Sequence, residues 1–104
     1  MKAKFPPQIK EIRKKILACI EQGQYVQSRH AIERQNLREI DLEDALYVLK
    51  NGYHEINKTY FDEAFLTWKY AIRGKTLNST DIRVIITFDT YGMIIITVIR
   101  VTNI

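Results

Sequence analysis

The chain has 104 residues, of which 46% are hydrophobic and 27% are charged. These proportions are typical of globular proteins and exclude an intrinsically disordered chain, and the length fits one domain over residues 1–104. Sixteen Lys and Arg residues against twelve Asp and Glu residues give a net charge of +4. This excess favours an anionic partner such as nucleic acid.

The single cysteine, Cys19, excludes an intrachain disulfide and a metal site built from several cysteines. The start of the chain is polar and its longest apolar run covers only residues 93–99, so neither a secretory signal nor a membrane-spanning segment is expected. We therefore expect a cytoplasmic protein. The charged side chains are mainly Lys and Arg in the first 38 residues, where a basic patch is expected, and mainly Asp and Glu in residues 39–63.

The N-terminal half of the sequence predicts three helices. Apolar spacing and capping residues place them at residues 7–22, from residue 28 to about residue 35, and at residues 41–51. Pro6 and Pro7 suit the start of the first helix, and Gly23 is expected to end it. Ser28 and Asp41 are the expected N-caps of the second and third helices, and Gly52 is expected to end the third in the left-handed conformation.

The C-terminal half predicts an antiparallel sheet. Residues rich in β-branched and aromatic side chains mark four strands at 53–60, 65–74, 82–88 and 93–101, and the short connections between them favour hairpins. The last two strands are apolar on both faces and are expected at the centre of the sheet. The predicted fold is α+β, with three N-terminal helices packed on one side of a four-stranded antiparallel meander.

No motif of high specificity is present, and the candidate functional residues are dispersed. His30 and Arg34 lie one helical turn apart, so an acid–base group stands beside a possible phosphate anchor. A helix-capping role for the segment that begins at Ser28 explains the same residues equally well. The other histidine, His54, is more typical of a surface or hydrogen-bonded side chain than of a catalytic one.

Strand alternation sends Lys69 and Arg73 to one face of the sheet and Trp68 and Tyr70 to the other. Arg83 lies among apolar neighbours, and a charge there needs water or a partner. Solvated charge at a sheet edge is the alternative for these cations. The two aromatic residues are more typical of a core than of a platform that stacks on bases.

Three sequence blocks resemble the domain-of-unknown-function 4258 family of small bacterial and archaeal proteins. They are Ser28-Arg29-His30-Ala31-Ile32-Glu33-Arg34, Ile40-Asp41-Leu42-Glu43-Asp44-Ala45-Leu46 and Asn51-Gly52, and the similarity continues as far as residue 98. The resemblance implies a compact fold like that of the RelE and MqsR toxins. It also implies the toxin component of a toxin–antitoxin operon, with a cognate antitoxin that resembles the MqsA-type zinc-finger proteins.

The activity implied by this resemblance is metal-independent cleavage of RNA, without a cofactor. Such cleavage uses the 2′-hydroxyl as nucleophile, so the protein must supply a base, an acid and cations. The predicted catalytic residues are His30, Arg34, Arg83 and Tyr70, and the predicted RNA-binding residues are Arg29, Lys69, Arg73, Lys75 and Thr97. The position of Thr97 relative to Arg83 depends on the hairpin register at residues 89–92, which the sequence leaves open.

Two other functions fit the same sequence. A non-catalytic nucleic-acid- or protein-binding module would use the same basic surface and bind polyanions with a steep salt dependence. A structural partner subunit would use the apolar strands to complete an interface.

Overall fold

A computed structural model describes residues 5–102 and shows an α+β fold of three helices and a mixed six-stranded sheet. The helices are α1 (Ile12–Glu21), α2 (Arg29–Arg38) and α3 (Leu42–Asn51). The strands are β1 (Tyr25–Gln27), β2 (Tyr53–His54), β3 (Tyr60–Asp62), β4 (Thr67–Lys75), β5 (Asp81–Phe88) and β6 (Met93–Arg100), and a 3-10 turn (Ile56–Lys58) joins β2 to β3.

The first helix begins later than the sequence predicts. It starts at Ile12, after Glu11 in the left-handed conformation with a φ of 54°, whereas the predicted helix covered residues 7–22. The backbone before it is bonded to the sheet, because the Pro6 carbonyl accepts a hydrogen bond of 2.6 Å from Trp68 Nε1. This contact replaces the expected start of the helix at the two prolines.

The predicted caps of the other two helices are confirmed. The Ser28 hydroxyl accepts a hydrogen bond of 3.0 Å from the Ala31 amide and begins α2, which continues to Arg38. Asp41 begins α3 through a capping box, in which the side chains of Asp41 and Asp44 each accept from the other's backbone amide. Both arrangements satisfy amides that have no partner within their helix.

Gly52 ends α3, but the predicted left-handed conformation is wrong, since its φ is −81° and its ψ is −168°. A glycine is needed there because a Cβ at position 52 would collide with the Arg73 carbonyl oxygen. A Cβ at position 74 would stand 3.1 Å from the Gly52 Cα. Two glycines therefore allow the end of α3 to cross β4 at close range.

The strand order is β1-β6-β5-β4-β2, and β3 pairs with the same edge of β4 as β2 does. The predicted meander of four antiparallel strands is wrong in two respects. The strand predicted at residues 53–60 is divided into β2 and β3 by the 3-10 turn, and β1 adds a strand parallel to β6. The antiparallel succession of β4, β5 and β6 is confirmed, with β5 and β6 inside the sheet as predicted.

One face of the sheet carries the helices and the hydrophobic core. The core includes Ile16 of α1, Ala31 of α2 and Leu49 of α3 together with Ile72, Val84 and Ile86 of the sheet. The opposite face, called the open face below, carries Lys69, Arg73 and Arg83, whereas the buried hydrophobic residues of the three helices lie in the core on the first face. None of the helices within residues 5–102 is long and apolar enough to cross a membrane.

Candidate functional site

The two polar residues predicted as a catalytic pair on α2 are in contact. Arg34 Nε donates a hydrogen bond of 3.3 Å to His30 Nε2 on the exposed surface of the helix. The lone pair of Nε2 is thus used by the Arg34 guanidinium in this arrangement. The i, i+4 spacing on α2 is sufficient to bring the two side chains together.

Ser28 fixes the position of this pair relative to the sheet. Its hydroxyl donates a hydrogen bond of 2.7 Å to the Ile96 carbonyl, and its amide donates one of 2.9 Å to the Ile95 carbonyl. The same hydroxyl caps α2, so one side chain anchors the first turn of the helix to β6. His30 is therefore carried on a rigidly placed turn, although its own ring is exposed.

Arg73 and Arg83, which are directly opposite each other on β4 and β5, form a four-residue ion-pair network. Arg83 Nε and Nη2 donate to the Glu55 carboxylate at 2.5 and 3.1 Å. Arg73 donates to Glu55 at 3.2 Å and to the two Asp81 oxygens at 3.2 and 2.9 Å. Two cross-strand arginines would repel each other, and the two carboxylates remove that repulsion.

The network also shifts the acidities of its members. The hydrogen bonds from Arg83 lower the pKa of Glu55 by more than its burial raises it, and Arg73 lowers the pKa of Asp81 in the same way. Glu55 in turn raises the pKa of Arg83. Both arginines are thus held as structural cations, whose donors are directed at carboxylates of the same chain.

Lys69 is neutralised in a similar way. Its Nζ lies 2.6 Å from Asp62 Oδ2, and this contact lowers the pKa of Asp62. The ammonium also lies 5.1 Å from the ring centroid of Phe65, in cation–π range. The prediction that Lys69 and Arg73 share a face is confirmed by the pairing of β4, but this face is a surface of ion pairs and not a cationic one.

Tyr70 lies in the core, on the face opposite the network. Only 2% of the residue is exposed, and its hydroxyl accepts a hydrogen bond of 2.9 Å from the Ile9 amide. The structure thus keeps the Tyr70 hydroxyl out of reach of a polymer on the surface. Its burial agrees with the prediction that the aromatic residues of β4 are core residues.

The remaining predicted RNA-binding residues are spread over the surface. Thr97 is paired with Ile85 two positions from Arg83, so the register places Thr97 and Arg83 on the same face of the sheet. Lys75 is exposed at the end of β4, and Arg29 is exposed in the first turn of α2. No hydrogen bond or ion pair between described residues joins the α2 pair to the Arg83 network, so the predicted site is divided into two clusters.

His54 has the structural role expected of it. Its Nε2 lies 2.8 Å from Thr59 Oγ1, which also receives the Ala71 amide, and burial lowers the pKa of the imidazole. These contacts close the segment between β2 and β3 against β4.

Sequence reasoning missed the carboxylates of the open face, Glu55, Asp62 and Asp81. A signal was available for Asp81, because it stands two residues before Arg83 and strand alternation puts both on one face. No local pattern pointed to Glu55, which reaches Arg83 only because the end of β2 lies along β4.

A family model described as Domain of unknown function (DUF4258) matches residues 27–100. No curated protein and no solved structure matches the chain.

Proposed function

The chain belongs to the DUF4258 family, and on that premise we propose that it is a toxin-like endoribonuclease, whose catalytic group is the His30–Arg34 pair on α2. The substrate is messenger RNA or another single-stranded RNA, and the reaction needs no metal or cofactor. We also propose that the fold is of the RelE and MqsR type and that a cognate antitoxin, of the zinc-finger class resembling MqsA, neutralises the protein.

The observation that carries the proposal is the hydrogen bond from Arg34 Nε to His30 Nε2 on an exposed helix surface. Histidine exchanges protons near neutral pH and can remove the proton from a ribose 2′-hydroxyl. The Nε2 lone pair of His30 is free for that proton when the Arg34 guanidinium turns from the ring to the phosphate, on which negative charge develops as the 2′-oxygen bonds to phosphorus. The bond from phosphorus to the 5′-oxygen then breaks, and water protonates the leaving oxygen. His30 is thus the catalytic base, and Arg34 is the phosphate ligand.

The residues of the open face are not part of this proposed centre. Arg73 and Arg83 direct their donors at Glu55 and Asp81, and Lys69 is paired with Asp62. A phosphate would have to displace these carboxylates to reach them. We therefore assign Arg83, which was predicted to be catalytic together with His30, to the stability of the sheet.

The experiment that tests the proposal measures both the reaction and its chemistry. The purified full chain is incubated with single-stranded RNA and excess chelator, and the new ends are identified by mass spectrometry. We expect 2′,3′-cyclic phosphate ends, and we expect a substrate with one 2′-deoxy linkage to stay intact at that linkage. Intact RNA, or cleavage at the 2′-deoxy linkage, would refute the proposed reaction.

A second function is favoured by one observation, the burial of Tyr70, which leaves His30 without the proton donor that the sequence suggested. A non-catalytic nucleic-acid- or protein-binding module needs no such donor. It would bind RNA with an affinity that falls steeply with salt and would leave the strand uncut. The cleavage assay above distinguishes the two functions.

A further inference from the structure

Four exposed cations lie at the start of α1, namely Lys10, Arg13, Lys14 and Lys15, and no acidic residue lies in the first turn. Arg13 donates a hydrogen bond of 3.0 Å to the Lys50 carbonyl, so the fold uses this cation. Cations at this end of a helix are disfavoured by the helix dipole. The contact between Lys14 and Glu11 is 3.9 Å long and exposed, so it offsets little of this charge. These cations contrast with those of the open face, which are paired at short range with carboxylates.

Phe5, shortly before this cationic turn in the chain, belongs to a group of three aromatic rings. The Phe5 ring stacks on Phe61 with a centroid distance of 4.5 Å and an interplanar angle of 19°. Trp68 contacts both rings edge-on, at 6.1 and 5.5 Å. Phe5 remains 47% exposed, so another planar group can pack against it.

The structure places the aromatic rings and the cations at the same end of the molecule. The hydrogen bonds of Trp68 to Pro6 and of Ile9 to Tyr70 hold the segment between Phe5 and Lys10 against the sheet. The Lys15 ammonium of α1 lies 4.9 Å from the ring centroid of Phe88 on β5.

A cavity of about 170 Å³ lies at this end of the sheet, between the helix approach and the strands. The rings of Trp68 and Phe88 line it, together with Pro6 and Pro7. The cavity therefore lies between the segment that follows Phe5 and the Phe88 ring, over which Lys15 lies.

We infer that the surface formed by Phe5, Lys10 and Lys15 binds single-stranded RNA, with one base stacked on Phe5 and neighbouring phosphates held by the lysines. Stacking on an aromatic ring together with ammonium contacts to phosphates is the usual chemistry of single-strand binding. A duplex cannot offer an unstacked base to Phe5 without opening. The choice of RNA over DNA rests on the proposed function, but the binding site itself does not depend on cleavage.

The test uses the full chain with any affinity tag at the C-terminus. The probe is a fluorescein-labelled 2′-O-methyl oligouridylate of about ten nucleotides, a length within the range of single-strand sites. This probe cannot be cleaved through a 2′-hydroxyl, so anisotropy reports binding alone. We expect Phe5→Leu to weaken binding by about 5- to 150-fold, the loss of one stacked base, and Phe5→Tyr to retain it.

The cationic part is tested by the salt dependence of the same binding. Lys15→Gln should reduce the slope of log affinity against log salt concentration by about 0.7, the value for one phosphate contact with a single strand. The matched control is Arg100→Gln, which removes an exposed cation at the far end of the sheet from Trp68 and should leave the slope unchanged. Wild-type affinity in Phe5→Leu, or equal effects of the two charge variants, would overturn the inference.

The outcomes separate this inference from the proposed function. His30→Ala should bind the probe as the wild type does, because it leaves the Phe5 surface unchanged. A protein that binds the probe through Phe5 but never cuts RNA would refute only the proposed catalysis. A protein that cuts RNA and binds the probe equally well after Phe5→Leu would refute only the Phe5 surface. Equal affinity for a duplex of the same length would also count against stacking.

Discussion

Glu55 is the residue on which the polar part of the open face most depends. Its carboxylate receives donors from both Arg73 and Arg83, and only 7% of the residue is exposed. Without it, two arginines directly opposite on neighbouring strands would face each other with Asp81 alone as counter-charge. A partly buried charge that loses its partner destabilises the fold more than the pair stabilised it.

We predict that Glu55→Gln lowers the free energy of unfolding by about 2 kcal/mol, below the usual range for a fully buried pair because water still reaches the arginines. Urea unfolding followed by circular dichroism measures this change. The control is Glu63→Gln, at an exposed glutamate outside the network, which should alter stability by less than about 0.5 kcal/mol. Equal stabilities of the two variants would show that the network contributes nothing.

At the scale of elements, the crossing of α3 over β4 is controlled by Gly52. The Arg73 carbonyl occupies the space that a side chain at position 52 would need, and neither backbone can move without breaking sheet pairing. Gly23 after α1 is different, since its φ of 67° requires a left-handed residue, but a Cβ at position 23 would meet nothing within 4 Å. One glycine is thus required by a close approach and the other by its conformation.

We predict that Gly52→Ala destabilises the protein more than Gly23→Ala does. The second change should cost about 1–2 kcal/mol, the strain of a left-handed alanine. The first adds a backbone collision and should cost more, or prevent folding. Thermal unfolding of both variants measures the difference. A Gly52→Ala protein as stable as Gly23→Ala would contradict the close approach of α3 to β4.

Elements marked by local signals could be predicted from the sequence. The side chains of Ser28 and Asp41 indicate where α2 and α3 begin, because they cap these helices. The alternation of side chains along β4 and β5 predicts the face of the sheet on which each cation lies. β1 could not be predicted as a parallel strand, because its pairing depends on β6, far away in the chain. The predicted start of α1 at Pro6 and Pro7 was wrong because the Pro6 carbonyl accepts a hydrogen bond from Trp68, a tertiary contact that the local sequence does not indicate.

The candidate site was likewise predictable only where the contact is local in the chain. The contact between His30 and Arg34 follows from helical spacing and could be predicted. The ion pair between Arg83 and Glu55 could not be predicted, because the two residues are 28 positions apart and come into contact only when β2 lies beside β4. Sequence reasoning did recognise that an arginine among apolar neighbours needs a partner, but it could not identify which one.

For the whole molecule, the ion pairs and His54 all make the folded protein less stable as the pH falls. Contacts with arginine lower the pKa values of Glu55 and Asp81, and burial lowers that of His54. Each group therefore binds its proton more readily in the unfolded chain. Its contribution is complete above the unfolded pKa and is lost as pH falls through the folded pKa.

We predict that stability falls in two stages as the solution is acidified. The first loss begins near pH 6.5, the ordinary histidine value, and the second begins near about pH 4, the ordinary carboxyl value. Urea midpoints measured between neutral pH and about pH 3 test this. Glu55→Gln should flatten the second stage and leave the first unchanged. A wild-type midpoint that is constant across this range would show that the shifts carry no stability.

The most direct test of the proposed catalytic centre is the rate at which the His30→Ala protein cuts single-stranded RNA in the presence of chelator. We predict a loss of about 100-fold or more relative to wild type, the usual effect of removing a general base, with an unchanged melting temperature. His54→Gln, at the only other histidine, should retain the wild-type rate. A fully active His30→Ala protein would contradict the assignment of catalysis to α2.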